Sequence, residues 1–485
     1  MDIPSINTWI AGVREDSKGP ERIRPVNPNA GDPEHGRPLP AARESTPEQL
    51  DRAAAAAHAA HADGRWCRLG VSERAAVLEE FARGLDARAD RIAELDALDS
   101  GVPISVTRLF GSGNGNTVRD AIKHAADAAN RGALPAEHAD VRVHRVPWGP
   151  AALITPWNAP SAMVVKKMAY ALAAGAPVIV KPSSEAPHSA ELIAEAAAGA
   201  GFPAGAFSFV RGGAVLGRAI SEDPRIAAIS MTGSTPAGRD IAARSAARFT
   251  RLQLELGANN PVIVRADADI PAAAEAIIAG AWKLSGQWCE APRRVYADRS
   301  VHEALLSALA EASAQWRIGS SLDPATQLGP VAFPARRAEL LRQRAQLVDA
   351  GAVLTYEAEV PAEGCFMPPS ILDGRGAEPE DEIFGPLLVV HAADGDDQAL
   401  AAASRGHVGL AGYVFSADTG RARELGRSLP AGEIKINGTS VLDMAPGSEQ
   451  SFFGGSGLGG HGDTRLLEFF TGARVVGEDS PGLPL

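Results

Sequence analysis

The stretch "GQWCEAPRR" at 286–294 places Cys289 between Trp288 and Glu290, with Arg293 and Arg294 following. Such a cysteine has three readings: a packed small hydrophobe, a metal ligand or a nucleophile. The chain holds only three cysteines, Cys67, Cys289 and Cys365. No CxxC pair exists, so neither a zinc site nor a disulfide framework is indicated. In "QLELGANNP" (253–261), Glu255 lies between Leu254 and Leu256. That is an apolar setting for a candidate general base near neutral pH, and equally for a satisfied structural carboxylate. "TPWNAP" (155–160) offers Asn158, a potential oxyanion donor or a turn residue. "VKPSSEAP" (180–187) leaves Lys181 at the end of an apolar run, suited to an anionic ligand or to snorkelling. "TGSTPAG" (232–238) brings Gly233, Ser234, Thr235 and Gly238 to the start of a helix, where phosphate is attracted. A bland tight turn fits the same residues. "GSGLGG" (455–460) satisfies G-x-G-x-x-G but has no strand–helix–strand unit after it, and reads as a flexible loop. The histidines show no metal or triad pattern; "HEALL" (302–306) lacks the second histidine of a zincin motif.

These residues need elements to position them. From about 150, short apolar runs alternate with helical stretches. Strands are expected at 151–155, 177–181, 206–210 and 226–230, with helices at 161–174, 188–199, 214–221 and 236–247. This alternation implies a parallel, doubly wound sheet, which binds ligands beyond the carboxyl ends of its strands. A second α/β region spans about 259–436, with strands at 260–264, 386–390 and 411–415 and helices at 270–284 and 301–315. "STPEQL" (45–50) carries a capping box in Thr46 and Gln49. The segment 72–98 reads as one helix whose Leu78, Phe81, Leu85, Ile92 and Leu95 share a core face. "VRVHRV" (141–146) alternates as one strand of an exposed hairpin.

The 485 residues imply two or three domains. A formal net charge of −12 argues against a nucleic-acid or anionic-membrane binder. No apolar run approaches a membrane span, and the N-terminus has no signal-peptide pattern. With so few cysteines, the expectation is a cytoplasmic protein.

In order and spacing, "TPWNAP", "VKPSSEAP", "TGSTPAGR", "QLELGANNP", "GQWCEAPRR", "EIFGPL" (382–387) and "FGG" (453–455) resemble the NAD(P)-dependent aldehyde dehydrogenases across essentially the whole chain. The resemblance implies oxidation of an aldehyde to an acid through a cysteine thiohemiacetal and thioester. It makes Cys289 the nucleophile, activated by nearby positive charge or helix dipoles. Glu255 becomes the base that activates water, and the Asn158 amide with the Cys289 N–H the oxyanion donors. Pro156, Trp157, Lys181, Ser184, Gly233, Ser234, Thr235, Gly238, Glu382 and Phe384 become cofactor-binding residues, with no metal.

The resemblance also implies an architecture. A cofactor domain at 1–130 and 147–255, a catalytic domain at 256–450 and an oligomerisation hairpin at 131–146 and 465–485 are expected, giving a homodimer or homotetramer. NAD-preferring members often carry a glutamate where this chain has Ser184, so NADP is expected to be accepted, preferred or used alongside NAD. There are departures. Ala159 stands where an aromatic is usual, which suggests a roomier pocket. Lys166 stands where a bulky pocket residue is common, and reads either as a ligand for a polar or anionic aldehyde or as a solvated lysine; Lys167 matches a lysine usual in the family. The run after "FGG" is short, and the loop 438–451 looks long. Two alternatives stay open: a CoA-acylating dehydrogenase, and a catalytically silent binding protein on this scaffold.

Overall fold

The computed structural model describes residues 2–130, 141–440, 444, 445 and 447–478. Parts of the expected hairpin (131–140 and 479–485) and of the long loop (441–443 and 446) lie outside the described residues.

The apolar runs after 150 form five parallel strands: Ala151–Ile154, Val178–Lys181, Phe207–Phe209, Ala228–Thr232 and Arg251–Glu255. The first lies in the middle. The chain adds the next two strands on one side, then returns to add the last two on the other. The sheet therefore reverses direction between Ala151–Ile154 and Ala228–Thr232, the kind of switch point at which doubly wound sheets take ligands. Thr8–Ile10 and Val13–Glu15 extend one edge. The other edge is closed by Gly457–Leu458, antiparallel to Glu255 and Leu254. The "GSGLGG" run is thus an edge strand and not a loose loop. A Cβ on Gly457 would lie 1.8 Å from the Leu254 carbonyl oxygen, so only glycine allows this approach.

A second sheet of seven strands is ordered Val353–Glu357, Ser370–Asp373, Leu387–Ala393, Pro292–Asp298, Asn260–Val264, Ala411–Phe415 and Glu433–Ile436. All pairs except the first are parallel. A separate ribbon pairs Arg142–Pro147 with Thr471–Val476.

The Thr46–Gln49 capping box starts helix Pro47–Ala62 as expected. The long helix divides into Val71–Asp86 and Ala89–Ser100. Arg88 leaves helical geometry, and its guanidinium donates to the Gly84 carbonyl (3.0 Å), satisfying the end of the first helix. Leu78, Phe81, Leu85, Ile92 and Leu95 are all buried across the break. Helix Ile270–Ala281 likewise stops short of 284, giving way to a tight turn over Lys283–Gly286.

Candidate active site

The carboxyl edge of the first sheet meets the amino edge of the second at a cavity of about 290 Å³. Pro156, Trp157 and Asn158 reach it from the turn after Ala151–Ile154, and Gly233 and Ser234 from the turn after Ala228–Thr232. Glu255 enters at the end of its strand. Cys289 and Glu382–Phe384 come from segments that lead into the second sheet's strands. The sulfur of Cys289 donates to Glu255 Oε1 at 3.7 Å. Thr232, in register beside Glu255, donates its hydroxyl to Oε2 at 3.1 Å. Leu254 and Leu256 point to the opposite face and pack in the core, which fixes which way Glu255 faces.

The turn before Cys289 is held under strain. Leu284 (φ 51°), Ser285 (57°) and Gly286 (72°) are consecutive left-handed residues. The two non-glycine positions cost roughly 1–3 kcal/mol each and persist only when their surroundings over-determine them. Those surroundings are specific. Ser285 Oγ donates to the Gly101 carbonyl (2.9 Å) and accepts from Gly329 N–H (3.1 Å). Gln287 Nε2 donates to the Ser100 carbonyl (3.0 Å) and its Oε1 accepts from Ala332 N–H (2.8 Å). Asn260 Nδ2 donates to the carbonyls of Cys289 (2.8 Å) and Ala291 (3.0 Å). Asn158 Nδ2 donates to the Gln287 carbonyl (2.8 Å), leaving its second amide N–H as a further donor.

The charge around Cys289 differs from expectation. Burial, then the carboxylates of Glu255, Glu290 and Glu382, raise the thiol well above its ordinary range. Arg293 and Arg294 follow in sequence but are spent on structure. Arg293 donates to the carbonyls of Ala281, Gly286 and Gly385, and Arg294 to Asn259, Ala403 and the Tyr296 hydroxyl. The thiol is held protonated, and its proton needs an acceptor.

At the other end of the cavity, Glu382 lies against Gly257, where a Cβ would come within 2.0 Å of its carboxylate. Burial pushes the Glu382 carboxyl up to about 7, opposed by Ala258 N–H, Arg293 and Arg336. Asn259 clamps this loop by accepting from Ile383 N–H and donating to the Asp381 carbonyl, both at 2.8 Å. Trp157 packs edge-on against Phe384, with ring centroids 5.4 Å apart.

Residues 21–476 match the aldehyde dehydrogenase family. The chain belongs to that family. It is 32% identical to a betaine aldehyde dehydrogenase of Cereibacter sphaeroides over 453 residues, covering 92% of each chain. It is also 32% identical to the 2-hydroxymuconic semialdehyde dehydrogenase of a Pseudomonas species, covering 96% of this chain and 98% of that one. Among solved structures, a mutant of aldehyde dehydrogenase C from Pseudomonas syringae, complexed with NAD+ and octanal, superposes with a TM-score of 0.90. The two are 27% identical, with 100% of this chain and 99% of that one covered. An indole-3-acetaldehyde dehydrogenase complexed with NAD+ gives 0.89 at 29% identity, with 98% of this chain and 97% of that one covered.

Not every expected residue of this dehydrogenase lines the cavity. Lys181 and Ser184 sit on the same carboxyl edge but outside it. Gly238 is packed against Leu256, where a Cβ would meet that side chain at 2.5 Å. Thr235 Oγ1 donates to the Gly455 carbonyl (3.3 Å), tying its helix to the C-terminal segment. Lys166 pairs with Asp463 and lies over the Tyr170 ring, away from the cavity, which fits the bland reading of that lysine. Lys167 is buried beneath the site, donating to Ser230 (2.7 Å) and Gln253 (3.2 Å). Thr232, Glu290, Arg336 and His461 line the cavity without having been singled out. Thr232 was legible in principle, since two parallel strands place it beside Glu255. Arg336 and His461 have no motif around them.

No group of three or more His, Cys, Asp or Glu among the described residues is arranged to hold a metal ion. No helix among them is long and apolar enough to cross a membrane.

Proposed function

We propose that the enzyme oxidises its aldehyde through a covalent bond to Cys289, with Glu255 moving protons and NAD(P)+ as co-substrate. The observation that carries this is the 3.7 Å approach of Cys289 to Glu255 in one cavity with Asn158. Glu255 takes the thiol proton, and the sulfur attacks the carbonyl carbon. The second Asn158 amide N–H and the Cys289 backbone N–H stabilise the oxyanion, a contribution worth about 10²–10³ in rate per donor. A bound nicotinamide would supply the hydride acceptor needed for the Cys289 thiohemiacetal to become a thioester. Once it has passed the thiol proton to solvent, Glu255 takes a proton from water, whose oxygen displaces the sulfur and releases the acid, and the proton returns to the departing thiolate.

The residues present fit a dinucleotide. Among the described residues, Thr155 Oγ1 and Ser184 Oγ are buried without a partner, next to Lys181 on the first sheet's carboxyl edge. Lys181 Nζ has only the Pro182 carbonyl at 3.4 Å among the described residues, and burial lowers it to about 8. These are donors for ribose hydroxyls and phosphate. Ser184 brings no carboxylate against a 2′-phosphate, so NADP is accepted. Gly233 and Ser234 open a helix with no side-chain cap, which leaves backbone N–H groups for the pyrophosphate. Glu382 and Phe384 hold the nicotinamide half. Gly238 and Thr235 act by seating the helix that carries these groups.

The 1–130 and 147–255 segments form the cofactor domain in this reading, and 256–450 the catalytic one. The ribbon of Arg142–Pro147 and Thr471–Val476, with Val475 and Val476 exposed, joins copies into a homodimer or homotetramer. The test is an aldehyde panel with NAD and NADP, with and without CoA, followed by reduced-cofactor absorbance. Turnover that needs no CoA and yields free acid supports the reading. A requirement for CoA, or no turnover with any aldehyde, defeats it.

A further inference from the structure

Resting on that reaction, the cavity also says what kind of aldehyde it takes. Beyond Cys289 its walls are largely apolar, built from Phe110, Ala159, Met163 and Trp288. One carboxylate interrupts them: Glu290, the residue after the nucleophile. The Glu290 carboxylate receives a single hydrogen bond among the described residues, from Gln450 Nε2 at 2.7 Å. A carboxylate offers about four acceptor positions. The lysines nearby, Lys283 and Lys435, act on it by charge and have other partners as well. Lys283 lies over the Trp288 ring (4.1 Å) and donates to the Thr439 carbonyl (2.6 Å). Lys435 pairs with Glu433 at 3.0 Å. His461 lines the same end of the cavity. Burial, then Glu433, raise the Glu290 carboxyl, with His461, Gln450 and Lys435 opposing; that is the condition of a carboxylate short of donors.

We propose that Glu290 is a specificity-determining residue, selecting aldehydes that carry a hydrogen-bond donor, hydroxyl or ammonium, on the first carbons beyond the carbonyl. Cys289 and Glu290 line the same cavity, and the Glu290 carboxylate acts on the sulfur by charge, so a carbonyl held at Cys289 has its neighbouring carbons in the space that Glu290 lines. The donor fills the vacant acceptor positions, and an ammonium also offsets the negative charge that Glu255, Glu290 and Glu382 place on the sulfur. The same three carboxylates repel an anionic aldehyde. The remaining chain of the substrate lies on the apolar walls, and Ala159 leaves room for it.

The experiment uses two isosteric pairs in which a donor replaces a methyl group: lactaldehyde against 2-methylpropanal, and 3-aminopropanal against butanal. kcat/KM is measured for wild type, Glu290→Ala and Glu290→Gln. Each kcat/KM is referred to the unhydrated fraction of the aldehyde, so that hydration drops out of every ratio. Wild type is expected to favour the donor in at least one pair by about tenfold or more, and Glu290→Ala to bring that ratio within about threefold of unity. If Glu290→Ala does not fold, Glu290→Gln, which removes the charge at nearly constant shape, is expected to lower the ammonium ratio. Parity or a methyl preference in both pairs for wild type overturns the proposal. So does a uniform fall across all four aldehydes in the variants, which is what loss of a brace on Gln450 produces. Absence of turnover by wild type with every aldehyde overturns the reaction assignment itself.

Discussion

Cys289 and Glu255 face one another at 3.7 Å across the junction of two sheets, one residue contributed by each side. Burial and three carboxylates hold the thiol protonated, and the arginines nearby do not reverse this, so the thiol is not activated by its resting surroundings. In the proposed reaction, activation comes from proton transfer to Glu255.

Cys289→Ala is expected to lower aldehyde oxidation by at least ~10³-fold while leaving cofactor binding in place. Cofactor binding is read from quenching of tryptophan fluorescence, since Trp157 and Trp288 line the cavity. Cys67→Ala and Cys365→Ala, outside the site, retain turnover. Substantial oxidation by pure Cys289→Ala would remove the nucleophile assignment.

Glu255→Gln is expected to slow steady turnover by ~10²–10⁴-fold. The proposed reaction gives Glu255 both the thiol and the water, and rapid mixing separates these two roles. A fast burst of reduced cofactor before a slow steady state means hydrolysis depends on it most. A burst slowed as far as the steady rate means that taking the thiol proton is its larger task.

Much of this was readable because the first sheet announces its site. Each strand there ends in a turn of small or polar residues, and those turns are where Asn158, Lys181, Gly233 and Glu255 stand. The second sheet gives no such announcement. Cys289 and Glu382 lie before its strands, at the amino edge, so a search of strand ends passes over their neighbours Glu290 and Arg336. Sequence adjacency also misled: Arg293 and Arg294 follow the nucleophile by a few residues but fold back onto carbonyls. The break at Ala87 and Arg88 was hidden because both are good helix formers, with no glycine or proline to mark the end. In 455–460, glycine composition concealed a strand whose glycines serve close approach to Leu254.

Cofactor affinity is expected to rise with pH through about 7 and then level off. Burial holds the Glu382 carboxyl at about 7, so it is protonated below and ionised above. Ribose hydroxyls donate to the ionised form more strongly, so binding releases a proton and is favoured as pH rises. Tryptophan quenching across neutral pH reads this directly. Glu382→Gln should remove the pH limb and weaken binding throughout; a limb that survives in Glu382→Gln assigns it to another group.

Ser184→Glu is expected to shift the NADP-to-NAD ratio of kcat/KM by at least ~10-fold toward NAD, through like-charge repulsion of the 2′-phosphate. Wild type is expected to use NADP. Strong discrimination against NADP by wild type would point to Glu185, half-buried one residue on and raised by burial, as the ribose ligand.

The pairing of Gly457–Leu458 with Leu254–Glu255 sets a clock on the enzyme's making. The strand that carries Glu255 is synthesised at the midpoint of the chain, yet its outer neighbour is more than 200 residues later. Until that neighbour leaves the ribosome, the edge beside Glu255 is an open ladder of backbone groups, able to recruit any passing strand. A translation product interrupted before 457 lacks Leu466, Leu467 and Phe470 from the first sheet's core and leaves Glu255 without its outer neighbour. Competence therefore arrives late and all at once, and fragments of this chain are exposed to misassembly at the very edge that the finished protein uses for its chemistry.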